Sequence, residues 1–146
     1  NMTAVLFGIT LVASAGVGFV NMIIVEPIAA AQEAAALAVR DGACALYHGC
    51  AHNLLHGRSR EALGELYKAA GFTLRAKYFV ETKTYLARQS DLLSGLRGED
   101  HDLLMEGIAL RSCPNLDDRE FDRLSGKLVE WAGALLATCV SKKFPV

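Results

Sequence analysis

Hydrophobic and polar positions divide this chain into two unequal parts. Residues 2–25 contain no Lys, Arg, Asp, Glu or His, a run of twenty-four. At about 1.5 Å rise per residue, a helix of that length covers roughly 36 Å, enough for a hydrocarbon core of about 30 Å with some tilt. The pattern predicts a transmembrane helix. Glu26-Pro27 is expected to end or kink it, because proline lacks an N–H and restricts the residue before it. A secretory signal peptide fits less well, since no base precedes the run and the run exceeds an ordinary signal core. A fully buried helix, or a hairpin turning at Ser14-Ala15-Gly16, are the competing readings.

Beyond residue 27 the period is helical throughout. Residues 28–56 are alanine-rich, and alanine is the best helix former, with an interruption expected near Asp41-Gly42. Ser59 is a candidate N-cap for a segment running from residue 60 to about 96. There Leu63, Leu66, Tyr67, Ala70, Leu74, Tyr78 and Phe79 recur at steps of three and four, and Gly71 is a candidate break. Residues 95–100 read as a turn and 102–110 as a short helix, stopped by Cys113-Pro114-Asn115. In the last helix Asn115 is the candidate N-cap, Asp117, Asp118 and Glu120 load the positive end of the dipole, and Phe121, Leu124, Leu128, Trp131, Leu135 and Cys139 form one stripe. The predicted fold is all-α: a transmembrane anchor over residues 1–27 and a four- or five-helix bundle over 28–146.

Charge follows the same division. Residues 1–57 carry one base, Arg40, and three acids, whereas the rest holds the other fourteen bases and thirteen acids. The net charge of −1 argues for neither nucleic acid nor an acidic substrate. Bases and aromatics do alternate between residues 58 and 97, but the aromatics occupy core spacing and acids intervene, as on a solvated amphipathic face. Arg75, Lys77 and Lys83 are instead candidates to meet anionic lipid or an acidic neighbouring subunit. Few bases flank the apolar run in sequence, so its orientation cannot be counted from them.

Within the run, Thr10, Ser14 and Gly18 recur every four residues, with Ala4 and Gly8 as a second such step. Small residues at this spacing let a second backbone approach closely inside lipid, which makes them the expected seam with another membrane subunit or a second copy.

One constellation carries candidate chemistry. Cys44, His48, His52 and His56 follow one another every four residues, so on a helix they share a face that drifts about 40° per step. Two imidazoles at such spacing reach a single ion, and imidazole suits zinc, copper, nickel or iron. His48, His52 and His56 are therefore the candidate metal ligands, with haem as the other group one of them would bind. No HExxH glutamate and no CxxCH haem motif accompany them. Catalytic motifs are absent: the serines lie in no G-x-S-x-G elbow and the glycines open no phosphate loop. Cys44, Cys50, Cys113 and Cys139 show no C-x2-C zinc spacing and read as small buried apolar residues, with a disulfide from Cys113 as the alternative.

The expected function is that of a non-enzymatic, single-span accessory or structural subunit of a larger membrane complex, docking through its first helix and its helical body, with no resident cofactor. A helical metal- or haem-binding protein is the alternative. A soluble self-associating domain with a buried leader is the second.

Overall fold

The computed structural model describes the backbone of residues 17–141 and the side chains of residues 27–141. Among the described residues there are five α-helices and no strand. The first, α1 (Val17–His52), runs through Pro27 without ending. Proline costs about 3 kcal/mol in a helix interior. Six of the nine residues at 28–36 are alanine, the best helix former, and they carry the helix on past the proline. Nor does α1 break at Asp41-Gly42. Gly42 is where α1 lets its neighbour in: a Cβ placed there would lie 2.5 Å from the Thr73 hydroxyl oxygen.

A π-helical turn, Asn53–Gly57, closes α1, and Arg58 in the left-handed region (φ 52°) donates its N–H to the Asn53 carbonyl. Helix α2 (Arg60–Thr82) starts on Ser59, whose hydroxyl accepts from the Ala62 N–H as the sequence predicts. It passes through the buried Gly71 and stops well short of residue 96. Lys83 takes φ 62° and returns its N–H to the Phe79 carbonyl, while the Thr82 hydroxyl donates to the Tyr78 carbonyl and accepts from the Thr84 N–H. This local competition by threonine side chains ends the helix where the apolar period continues.

Helix α3 (Gln89–Gly95) is a short cap. Helix α4 (Gly98–Ser112) begins four residues before the predicted start at 102, because Gly98 at φ 62° turns the chain and Glu99 and Asp100 occupy the first turn. Asp117, not Asn115, caps α5 (Asp118–Val140): its carboxylate accepts from the Glu120 N–H at 2.8 Å.

Helices α1, α2 and α5 form the body, with α4 laid against α2. Val39, Ala43, Leu46 and Cys50 of α1 meet Leu63, Tyr67, Ala70 and Leu74 of α2 in one core. The predicted stripe of α5 is buried from Phe121 to Leu135, with Cys139 half-buried at the end. Phe121 sits under both Arg58 and Arg60, each guanidinium carbon 4.7 Å from the ring centre. Those arginines also pair with Asp122 and Asp118, so the α1–α2 turn is fastened to the start of α5. Among the described residues no helix is long and apolar enough to cross a membrane, and residues 1–16, most of the predicted anchor, lie outside them.

Candidate functional site

The histidine face is on the outer side of α1, where His48, His52 and His56 are all exposed. The His52 and His56 rings lie 5.2 Å apart between centroids, tilted by 46°. His48 makes a different contact, edge-on to Tyr47 at 5.6 Å. The π-helical turn does not divide the row where it parts: His48 and His52 share the regular part of α1, yet His48 packs on Tyr47, while the His52–His56 contact spans the step into the π-helical turn. Among the described residues no three His, Cys, Asp or Glu side chains come together as a metal-binding group. The structure thus brings together two of the three predicted ligands.

The four cysteines are free thiols, Cys113 included. They do not share the buried role predicted for them: Cys50 is enclosed, Cys44 and Cys139 are half-buried, and Cys113 is exposed. Cys50 donates to the Ser125 carbonyl at 3.4 Å, and burial pushes its pKa up to about 11. It is a protonated core residue at neutral pH, unsuited to nucleophilic work. Burial also raises Cys139, opposed by the positive charge of Arg40 close by.

Sequence reasoning missed a polar cluster where α2, α4 and α5 meet. The Trp131 indole N–H donates to Asp100 at 2.9 Å, and Lys77 donates to the other carboxylate oxygen at 2.6 Å. Lys77 also reaches Glu81 at 3.1 Å along its own helix. Burial favours the neutral amine of Lys77, but the hydrogen bond and charge of Asp100, with Glu81 behind them, prevail and hold its pKa above the ordinary lysine value. The pairing spans 23 and 31 residues of sequence, so no local pattern signals it. Outside Trp131 lies a shallow cleft of about 380 Å³, lined also by Glu99, Lys127 and Glu130. A larger open cleft of about 690 Å³ runs between α2 and α4, with Glu61, Glu65, Lys68 and Arg111 on its walls. Its charges are mixed, and Arg60 at its end is already held by Asp118 and the Leu116 carbonyl. Neither cleft is lined by a Ser, Thr, Cys or His side chain.

Of the predicted seam, Thr10 and Ser14 lie outside the described residues, and Gly18 belongs to the first turn of α1, whose side chains are not described. No protein family, no curated protein and no solved structure matches the chain.

Proposed function

We propose that this chain is a small membrane-anchored docking subunit, held in the bilayer by its uncharged leader and presenting a helical body to partner proteins. The observation that carries the proposal is the continuity of α1: one helix begins within the uncharged run, passes Pro27 and supplies the core residues Val39, Ala43 and Leu46. A leader that shares a helix with the core has a fixed direction of exit from the body. Small residues at Thr10, Ser14 and Gly18 would form the seam with a second transmembrane helix, from another subunit or another copy.

Alkaline carbonate extraction of the full chain tests the anchor. Retention in the membrane pellet supports it, and release into the supernatant removes it. Purification in mild detergent tests the docking role: a stoichiometric second protein or a dimer is expected, and a solitary monomer argues against it. Full solubility as an oligomer without detergent would favour the self-associating domain with a buried leader.

The His52–His56 pair supports a second reading, a weak two-imidazole chelate for copper, nickel or zinc. Metal titration of the full chain, with and without His52→Ala, tests that reading separately.

A further inference from the structure

The three bases singled out in the sequence as candidates for an anionic neighbour meet different fates in the fold. Lys77 is occupied by Asp100 and Glu81. Arg75 lies over the Phe72 ring, 5.3 Å from its centre. Lys83 is exposed and in no ion pair among the described residues, and the same holds for Arg88 five positions on. The fold decides where these two free bases sit. Helix α2 runs antiparallel to α1, and the Gln32 side-chain amide donates to the Val80 carbonyl at 3.4 Å, so α2 ends beside the part of α1 just past the uncharged run. From Gln32 back to Val25 is seven residues, or about 10 Å of helix. The loop 83–88 therefore lies at the end of the body from which α1 leaves.

That end has further features of an interfacial surface. Tyr85 is exposed yet anchored edge-on to Phe79, with ring centroids 6.4 Å apart. Ile28 on α1 is also exposed. The loop holds two bases and no acid in the sequence Lys83-Thr84-Tyr85-Leu86-Ala87-Arg88. Of the acids near this end, Glu81 is paired with Lys77, while Glu33 on α1 and Asp91 on α3 are exposed and in no ion pair among the described residues, outside the loop itself. Unpaired bases, an amphipathic aromatic and an exposed isoleucine around the exit of an apolar helix match the headgroup layer of a bilayer.

We propose that this end of the body is seated on an anionic phospholipid surface, with Lys83 and Arg88 on the lipid phosphates and Tyr85 at headgroup depth. The inference rests on the membrane reading above. It also orients the chain: Lys83 and Arg88, distant from the leader in sequence, stand beside its exit in space, which places the body on the side of the membrane richer in anionic lipid.

The test is vesicle flotation of the full chain combined with amide hydrogen exchange of residues 83–88. Vesicles of phosphatidylcholine are compared with vesicles in which about a third of the lipid is phosphatidylserine. Each base near an anionic surface strengthens attachment about fivefold, so exchange across the loop should slow by roughly tenfold or more in the anionic vesicles. High salt should reverse the slowing, and the pair Lys83→Asn and Arg88→Gln should abolish it while leaving flotation intact. Asparagine is chosen because it tolerates the left-handed backbone at residue 83. Flotation with both vesicles but unchanged exchange would overturn the seat and leave the anchor standing. Flotation with anionic vesicles alone would support the seat and overturn the anchor. A chain that floats with neither overturns both.

Discussion

Asn53 and Ser59 exchange two hydrogen bonds of 3.0 Å each: the Asn53 amide donates to the Ser59 carbonyl, and the Ser59 N–H donates to the Asn53 side-chain oxygen. Asn53 is buried, and the pair joins the π-helical end of α1 to the cap of α2. Ser59 thus has its backbone fixed by Asn53 and its hydroxyl committed to Ala62. Replacing Asn53 removes both ties at once.

Asn53→Ala is expected to destabilise the folded body by about 2–3 kcal/mol, since two partly buried backbone groups lose their partners. For a domain of this size the midpoint of thermal unfolding should fall by roughly 10 °C. Asn53→Asp keeps the acceptor and loses the donor, so it should fall between the two. Thermal melts followed by circular dichroism decide the order.

Gly42→Ala should destabilise, against the rule that alanine improves a helix by about 1 kcal/mol over glycine. The added methyl would stand 2.5 Å from the Thr73 hydroxyl oxygen and 3.3 Å from its methyl. Overpacking of this kind costs about 1–3 kcal/mol. In a Thr73→Ala background the same change should be neutral or stabilising, and denaturant titration of the four proteins measures the coupling.

Asp100→Ala leaves both the Trp131 indole and the Lys77 ammonium without their main partner, and should cost about 1–3 kcal/mol at neutral pH. The pair also has a pH signature. The folded-state pKa of Lys77 lies above its ordinary value of 10.5, so its contribution is complete below that value. It is lost as pH rises through the folded value. Wild type should therefore lose stability more steeply than Asp100→Ala above about pH 10.5, as read from urea midpoints at stepped alkaline pH.

The thiols should react in an order set by enclosure. Cys113, exposed, is expected to react fastest with an aromatic disulfide reagent, then Cys44 and Cys139, with Cys50 only on unfolding. Burial raises Cys50 from 9.0 to about 11, so the unfolded chain gives up this proton first. Its share of stability is full below about 9.0 and fades as pH climbs toward 11. Removal of one fast thiol by Cys113→Ser checks the first assignment, and rapid reaction of Cys50 in the native state would refute the last.

A metal titration should find a two-ligand pair rather than a centre. Copper or nickel is expected to bind the full chain weakly, with affinity lost in either His52→Ala or His56→Ala and nearly unchanged in His48→Ala. Equal losses from all three variants would restore the row read from the sequence.

Much of the body was legible because its helices obey one period. The stripe from Phe121 to Leu135, the Ser59 cap and the all-α class follow from local spacing and capping chemistry. What escaped local reading depended on partners distant in sequence. Gly42 looks like a breaker until Thr73 is placed against it, and Asp100 looks like part of a solvated turn until Trp131 and Lys77 converge on it. The early end of α2 had a local cause, the Thr82 hydroxyl, but an apolar period running on through Tyr85 and Leu86 masked it. In the histidine row, equal four-residue steps do not tell His48, which packs on its neighbour Tyr47, from His52, which meets His56.

The passage of α1 through Pro27 has a mechanical corollary. Ala36, the first buried residue among those described, lies about 28 Å along the axis from Val17, with no loop between them. A rod of that kind transmits torque. Twisting or pulling at Val17 would load Val39 and Ala43 directly, since no swivel lies between that turn and the body.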